Sequence, residues 1–254
     1  MNKQTIKYDF PVKLSPVKSD NILIPEKAAV IRQDTKEPIG LVSNRYGLLH
    51  HKDVIDSLRK SLSKHEYTEK ISLGKNGAHL FSEYTLPKLR FEVKKGDDVS
   101  LRFIAKNSYD GTKSFQLIMG AFRFVCDNGL VVGNEFFSLS RKHIESDKPL
   151  KDVLALDTLV SQLSEDFSSK TIPQFKKMIQ TPVQPTKLFD KNKIDLPKYI
   201  LDIAKKEYEK EKLYTVWNYY NSFTKAITHY LKRDKTEVRL EYLKRSWKEA
   251  VQFV

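Results

Sequence analysis

The pair Asp110-Gly111 is the feature that most restricts how this chain can fold. It stands between two stretches of alternating apolar residues. Asp-Gly readily forms a two-residue type I′ turn, in which both central residues have positive φ. Such a turn fixes the register of a hairpin, and a slip of one residue would exchange its two faces. The sequence therefore predicts an antiparallel hairpin whose loop is Asp110-Gly111.

The predicted register divides the side chains of the hairpin between two faces, because successive residues of a strand point to opposite sides. One face is a predicted core, formed by Leu101, Phe103, Ile118, Phe122 and Phe124. The opposite face carries apolar residues and, between them, the cations Arg102, Lys106, Lys113 and Arg123. The ladder is expected to stop at Asn128-Gly129, where a positive-φ turn would end it.

The segment before the hairpin alternates in the same way. Leu89, Phe91 and Val93 are predicted to face one side of the sheet. The other side carries three further cations, Lys88, Arg90 and Lys94. The alternation therefore predicts one sheet face on which cations from consecutive strands lie together.

The remaining segments indicate the fold class α+β. Residues 40–62 predict a strand, a turn and a helix with the apolar stripe Val54, Ile55, Leu58 and Leu62. Beyond Pro149 the apolar spacing becomes helical, and Pro197 suits the first turn of a long helix. We expect an antiparallel β-meander packed with helices in the N-terminal half and an α-helical C-terminal half. The expected domains are 1–148 and 149–254, with the alternative that they pack as one unit.

Composition restricts the class of partner. The net charge of +13 in 254 residues favours binding to polyanions such as nucleic acids. The excess of positive charge is, however, spread along the chain, as in a generally lysine-rich protein. The single cysteine, Cys126, excludes an internal disulfide, and its parity predicts a buried apolar environment. Without a secretion signal or an apolar run of membrane-spanning length, we expect a cytoplasmic protein that does not contact membranes.

Motifs of common catalytic chemistry are absent from the sequence. The chain has no GxxxxGKS/T phosphate loop, no GxGxxG fingerprint and no GxSxG nucleophile elbow. The histidines lack the pair spacing of a zinc site, and Asp97 and Asp98 are expected to be solvated. We therefore expect a protein that is not an enzyme and binds no cofactor and no metal. A metal-dependent nuclease with carboxylates from distant positions stays an open alternative.

Nucleic-acid binding is the chemistry that the alternating pattern favours. Cations on a sheet face neutralise phosphates, and rings between them stack on unpaired bases. The residues predicted to contact nucleic acid are Lys88, Arg90, Arg102, Lys106, Lys113, Arg123, Phe115 and Tyr109. Two alternatives stay open. The cations could lie on an ordinary solvated face, or under the C-terminal helices and paired with acids.

A second dense segment lies at residues 215–231. Trp217, Tyr220, Phe223 and Ile227 share one helical stripe, which predicts core packing. Asn221 and Thr224 lie nearby and could either bind a ligand or bridge buried backbone groups.

Three stretches carry distinctive motifs: VSNRYGLLHHKDVIDSL, then NSYDGTKSFQLIMGAFRFVCDNGLVVG, then TVWNYYNSFTKAITHYL. In order and spacing they resemble a family of phage- and plasmid-encoded proteins, domain of unknown function 932. The resemblance covers roughly residues 40–232. The family's motif residues fall here on Arg45, Tyr46, Gly47, Asn107, Ser108, Asp110, Gly111, Arg123, Val125, Cys126, Asn128, Gly129, Leu130, Tyr220, Asn221 and Thr224.

The resemblance implies a role in replication, recombination or counter-defence on mobile elements. A sheet with a basic face is also similar, at the level of the fold alone, to single-strand annealing proteins of the Rad52 kind. We therefore expect a non-catalytic phage or plasmid protein that binds single-stranded DNA in an annealing-like role, with a homo-oligomer as one option. The alternative is a protein-interaction factor with host or phage partners, such as an inhibitor of host defence or a virion or replisome component.

Overall fold

The computed structural model describes residues 8–123, 128–130, 138–141, 162, 165–184, 188–189, 194–231 and 236–254. Its strands are β1 Val12–Ser19, β2 Ile22–Arg32, β3 Pro38–Ser43, β4 Thr68–Gly74, β5 His79–Lys94, β6 Asp97–Ser108, β7 Phe115–Arg123, β8 Asn128–Leu130 and β9 Ser138–Arg141. Its α-helices are α1 His51–Ser61, α2 Ile172–Gln180, α3 Lys198–Glu211, α4 Val216–Tyr230 and α5 Thr236–Ala250. The fold class is α+β, as the sequence predicts.

The strands form two sheets. β1, β2 and β3 form an antiparallel three-stranded sheet in chain order. The second sheet has the order β4-β5-β6-β7-β8, and β9 also pairs with β7. β9 lies opposite Phe115–Ile118 and β8 opposite Ala121–Arg123, so the two short strands follow one another along β7.

Two details of the predicted hairpin are wrong. Residues 109–114 join β6 to β7, and Gly111 has a φ of +69° while Asp110 lies outside the left-handed region, so no type I′ turn forms. The ladder does not end at Asn128-Gly129, because both residues belong to β8 and Asn128 pairs with Arg123. The predicted core face is confirmed for Leu101, Phe103 and Ile118, which are buried. The Phe122 side chain and Phe124 lie outside the described residues.

Among the described residues, the helices form where the apolar spacing predicts them. The stripe Val54, Ile55, Leu58 and Leu62 is fully buried. Thr215 caps α4, since its hydroxyl oxygen accepts a hydrogen bond from the backbone N–H of Asn218. α4 contacts α2, α3, α5 and β8, and its residues 216–224 are all buried. In the described part of the chain, no helix has the length and apolar character needed to cross a membrane.

The chain is organised as two compact units, each assembled from separate segments. Unit 1 comprises Met1–Tyr84, Phe103–Ile118 and Ser138–Val160. Unit 2 comprises Thr85–Arg102, Met119–Phe137 and Ser161–Val254. β5, β6 and β7 contribute residues to both units, so neither unit is a continuous stretch. The division into domains 1–148 and 149–254 stays a prediction.

Candidate functional site

The motif residues at positions 46 and 108 meet in unit 1. The hydroxyl of Tyr46 donates a hydrogen bond to the carbonyl of Ser108 at 2.7 Å. Burial raises the pKa of the Tyr46 phenol to about 12, so the hydroxyl keeps its proton near neutral pH. The hydroxyl of Ser108 donates in turn to the carbonyl of Lys113 at 2.9 Å. The turn after β3 thereby holds both ends of the loop between β6 and β7.

The carboxylate of Asp110 organises the same loop. It accepts hydrogen bonds from the Thr112 hydroxyl at 2.6 Å and the Lys75 ammonium at 3.1 Å, and it lies 2.8 Å from His79 Nε2. Burial acts to raise the pKa of Asp110, but the bonds from Thr112, His79 and Lys75 outweigh it and lower the pKa below its usual range. The charged carboxylate of Asp110 therefore connects the loop to the side chains of Lys75 and His79.

His51 links α1 to the motif residues Asn107 and Tyr109. Its ring stacks on Tyr109 with centroids 3.9 Å apart, and Nε2 lies 3.0 Å from the carbonyl of Gly77. The Asn107 amide nitrogen lies 2.9 Å from His51 Nδ1 and donates to the carbonyl of Leu49. Because carbonyl oxygens only accept, Nε2 carries the proton and Nδ1 accepts. Both ring nitrogens are engaged, so His51 has a structural role.

Gly40 lets the loop approach β3. A Cβ atom at this position would lie 2.5 Å from the carbonyl oxygen of Tyr109 and 2.7 Å from Asp110 Cα. Backbone atoms cannot move aside as a flexible side chain can, so only glycine fits here. The loop is thus fixed by steric contact as well as by hydrogen bonds.

Arg123 forms a buried ion pair in unit 2. Its Nε and Nη2 atoms donate to the Asp97 carboxylate at 2.6 and 2.7 Å, and Trp217 Nε1 donates to the same carboxylate at 3.0 Å. Arg123 is 5% exposed and Asp97 2% exposed. Each charge is compensated by a bidentate geometry, which is the condition for keeping a guanidinium in an interior. The expectation that Asp97 is solvated is wrong.

Four of the predicted nucleic-acid contacts are buried, and their predicted exposure is wrong. Arg102 is 6% exposed. Burial raises the pKa of the Tyr220 phenol, and the nearby positive charge of Arg102 opposes this rise. Arg123, Tyr109 and Phe115 are buried too. For Arg102 the reason is that both faces of β6 are covered over residues 99–105. For Arg123, which forms an ion pair with Asp97, the arrangement matches the alternative in which the cations are paired with acids.

The other four predicted contacts lie at the surface in part or in full. Lys88 and Arg90 are exposed on β5, whereas Lys106 and Lys113 are half-buried. Between and beyond the two exposed cations, Leu89 and Phe91 are half-buried and Val93 is buried, as the alternation predicts. Phe91 packs against Phe167 with ring centroids 5.0 Å apart. Contact of these cations with nucleic acid stays a prediction.

The motif residues of α4 bind their own helix. The Asn221 amide donates to the carbonyl of Trp217 at 2.8 Å, and the Thr224 hydroxyl donates to the carbonyl of Asn221 at 3.0 Å. Trp217, Tyr220, Phe223 and Ile227 are fully buried, which confirms the predicted core packing. Asn221 and Thr224 therefore bridge buried backbone groups, the second of their two predicted roles.

Several motif residues take no part in the contacts above. Arg45 is exposed in the turn and Gly47 is half-buried. Asn128, Gly129 and Leu130 are described only through their backbone in β8. Cys126, Val125 and most of the predicted helix at 149–167 lie outside the described residues. Within the described part of the chain, no group of three His, Cys, Asp or Glu side chains could hold a metal ion.

Sequence reasoning missed three partners of the motif residues: His51, Asp97 and His79. Asp97 follows Lys94, Lys95 and Gly96, a context that is typical of a solvated turn, so no local signal marks it as buried. His51 does carry a usable signal. His51 begins the amphipathic helix α1, and it lies three and four residues before Val54 and Ile55, which places it on the buried side of the helix.

Comparisons with known proteins agree with the motifs. The model of the family "Domain of unknown function (DUF932)" matches residues 38–247. The UPF0380 protein YafZ of Escherichia coli K12 is 31% identical over 101 residues, which are 40% of this chain and 37% of the relative. The UPF0380 protein YfjQ of the same organism is 50% identical over 40 residues, or 16% of this chain and 15% of the relative.

The matched segments thus span well under half of either relative's length. No solved structure matches the chain. The family model, by contrast, covers most of the sequence, including all three motif stretches. The chain therefore belongs to the family described as a domain of unknown function, DUF932.

Proposed function

We propose that this protein is a non-enzymatic nucleic-acid-binding protein that prefers single-stranded DNA. It would act in the cytoplasm, in replication or recombination of a phage or plasmid. The observation that carries the proposal is the outward alternation of Lys88 and Arg90 at the end of β5, next to the exposed turn that contains Lys95.

The stretch 88–95 concentrates positive charge. It contains the cations Lys88, Arg90, Lys94 and Lys95 and a single carboxylate, Glu92. Residues that alternate outward along one strand are about 6.6 Å apart. Lys88 and Arg90 therefore present two separated charges along the direction of β5, which suits an extended polyanion lying parallel to the strand. Binding of phosphates to such a row releases counterions, which provides affinity and makes it depend on salt.

Preference for single strands is supported by exposed rings in the same unit. Tyr199, Tyr214 and Tyr230 are exposed on the helical surface of unit 2. Lys198 precedes Tyr199, and Lys212 lies two residues before Tyr214. An exposed ring beside a cation can stack on an unpaired base while the cation binds the neighbouring phosphate. These rings replace Tyr109 and Phe115, which are buried and cannot stack on bases.

The proposal is tested by fluorescence anisotropy with a labelled thymidine oligonucleotide of about 30 nucleotides. The test variant is Lys88→Ala/Arg90→Ala/Lys95→Ala. The control is Lys60→Ala/Lys64→Ala/Lys70→Ala, which removes the same charge from exposed positions of unit 1. Affinities are measured between about 50 and about 200 mM salt.

The expected result is that the test variant binds at least about tenfold more weakly, while the control stays close to the unchanged protein. Each lost phosphate contact should lower the salt slope by about 0.7, so three contacts lower it by about 2. Equal losses in both variants would mean that only net charge matters. No binding by the unchanged protein would refute the function itself.

A further inference from the structure

His51 places a titratable ring in the interior of unit 1. The residue is fully buried, and the ring of Tyr109 stacks on it with centroids 3.9 Å apart. Phe10 meets the ring edge-on, with centroids 6.2 Å apart. An imidazole gains and loses a proton near neutral pH, and burial penalises its charged form. The protonation state of His51 therefore bears directly on the packing of its surroundings.

The hydrogen bonds of the ring suit only its neutral form. Nε2 lies 3.0 Å from the carbonyl oxygen of Gly77, so this nitrogen carries the proton of the neutral ring. Nδ1 lies 2.9 Å from the amide nitrogen of Asn107, which can only donate, so Nδ1 accepts. A second proton, placed on Nδ1, would set two donors against each other and break this hydrogen bond.

The side chain of Asn107 is fixed in the orientation that donates to His51. Its amide nitrogen also donates to the carbonyl of Leu49 at 2.8 Å. Rotation of the amide would offer Oδ1 to a protonated ring, but it would also set Oδ1 against the Leu49 carbonyl. In the described part of the chain, Oδ1 is buried and accepts no hydrogen bond, so the rotated amide nitrogen would lie in a place without an acceptor. Asn107 thus favours the neutral ring over the charged one.

A carboxylate and two phenols lie on the side of α1 and the loop after β6. Burial, helped by the charge of Asp53, raises the pKa of the Tyr109 phenol, although the hydrogen bond from the His51 backbone N–H acts against this rise. Tyr46 lies close to Tyr109 and also keeps its proton near neutral pH. Asp53 would favour a proton on His51, but it is exposed on α1, where water weakens its field. Neither phenol supplies a negative charge to a protonated ring.

Two cations lie on the side of the turn at residues 75–77. Arg32 donates to the carbonyl of Asn76 at 3.3 Å, next to the carbonyl that accepts from the ring. Asp34 binds the guanidinium and reduces its field, but Arg32 still opposes a second positive charge nearby. The ammonium of Lys75 binds a carboxylate of the loop after β6. The charges around the ring therefore do not reverse the preference that its hydrogen bonds set.

We propose that His51 is an acid-sensitive latch in unit 1. While its ring is neutral, it joins the turn before α1, through Leu49 and Asn107, to the loop after β6, through Tyr109. Uptake of a second proton at Nδ1 breaks the bond from Asn107 and loosens this junction. The latch connects two of the three motif stretches, and it is independent of the proposed function because it needs no nucleic acid.

The direction of the pH dependence follows from the preference for the neutral ring. An exposed histidine of an unfolded chain takes up a proton near about pH 6.5. The folded protein resists this proton at position 51, so the unfolded state binds more protons at and below this pH. The stability that the neutral ring contributes is complete above about pH 7 and is lost as the pH falls. The unfolding equilibrium constant should therefore rise by up to about tenfold for each pH unit below about pH 6.

Urea unfolding of the full chain at several values between about pH 5 and about pH 8 tests the latch. The variant is His51→Gln, whose amide can donate toward the Gly77 carbonyl but cannot take up a proton. The control is His65→Gln, because His65 is half-buried in unit 1 and lies outside the contacts described above. The measured quantity is the change of stability with pH in each protein, which does not depend on how stable each protein is at neutral pH.

Between about pH 7 and about pH 5.5, the unfolding equilibrium constant of the unchanged protein should rise at least about fivefold more than that of His51→Gln. The control should follow the unchanged protein. Equal pH dependence in the unchanged protein and His51→Gln would overturn the proposal, and so would a control that behaves like His51→Gln.

Nuclear magnetic resonance of the ring nitrogens keeps the proposal testable if His51→Gln does not fold. The unchanged folded protein should show His51 as the neutral ring with its proton on Nε2 at about pH 6, where an exposed histidine is mostly protonated. A His51 ring that is already doubly protonated in the folded protein at this pH would overturn the proposal.

Discussion

Two groups of cations in unit 2 lie in opposite environments. Arg102 and Arg123 are buried, and the Asp97 carboxylate holds Arg123 in a bidentate ion pair. Lys88 and Arg90 alternate with apolar residues in the same manner, yet they lie exposed on β5. A buried guanidinium must be compensated within the protein, whereas Arg90, whose Nε donates to the carbonyl of Pro87 at 2.9 Å, is also accessible to water. The first group therefore belongs to the packed interior of the unit, and the second provides surface charge.

This difference shows what strand alternation reveals and what it leaves undetermined. Alternation separates the two sides of a strand, but it does not say which side a later segment will cover. The indole that meets Asp97 belongs to Trp217, 120 residues further along the chain. Substitutions in the buried polar groups should thus change stability, and substitutions in the exposed group should change binding.

The largest effect is expected from Asp97→Ala. The substitution leaves Arg123 as an uncompensated buried charge and removes the acceptor of Trp217 Nε1, so the free energy of unfolding should fall by about 3–5 kcal/mol. Urea unfolding measures the loss. The control is Asp98→Ala at the neighbouring, less buried position, which should change stability by under about 0.5 kcal/mol. Similar losses in both variants would show that the ion pair contributes no special stability.

The next effect concerns the loop that unit 1 holds in place. Gly40→Ala should lower the free energy of unfolding by about 1–3 kcal/mol, because its Cβ would overlap backbone atoms of Tyr109 and Asp110. Gly74→Ala is the control, since a Cβ there meets only the His79 Cβ at 3.7 Å. Equal melting temperatures for the two variants would contradict the close approach of β3 to the loop.

A smaller and pH-dependent effect is expected from Asp110→Asn, which keeps the shape of the side chain but removes its charge. Since the folded state lowers the pKa of Asp110, the carboxylate stabilises the fold above the unfolded value of about 3.9. That stability is lost as the pH falls toward the folded pKa. The difference between the unchanged protein and the variant should be about 1–2 kcal/mol near neutral pH. The difference should shrink below about pH 4, and urea unfolding midpoints measured at several pH values would show this. A difference that stays constant with pH would contradict a stabilising role for the charge of Asp110.

The smallest effect on stability is expected from Lys88→Ala/Arg90→Ala. Both side chains are exposed, so the free energy of unfolding should change by under about 0.5 kcal/mol. The same variant should bind single-stranded DNA more weakly and with a lower salt slope. A melting temperature lowered as far as that of Asp97→Ala would place these cations in the structural group instead.

Local signals account for the parts of the fold that could be predicted. The α1 stripe, the alternation of residues 88–93 and the aromatic stripe of α4 each follow from spacing within one element. The β1–β2 hairpin also carries a local signal, because Asp20 and Asn21 in its turn are residue types that tolerate positive φ.

The rest depends on contacts between distant segments. The pairing of Asp97 with Arg123 and Trp217 joins three segments, and none of them carries a local sign of it. The predicted two-residue turn at Asp110-Gly111 failed because the Asp110 side chain caps the backbone N–H and hydroxyl of Thr112 instead. An Asp-Gly pair is compatible with both outcomes, and the contacts with His79 and Lys75 favour the longer loop.

The most direct test of the division between the two groups of cations is a comparison of DNA binding. Asp97→Asn/Arg123→Met removes the buried charges as a pair, which avoids an isolated buried charge. We expect this variant, measured below its melting temperature, to bind single-stranded DNA within about twofold of the unchanged protein. Lys88→Ala/Arg90→Ala/Lys95→Ala should bind at least about tenfold more weakly. A loss of binding in the pair variant as large as that in the exposed variant would contradict the account.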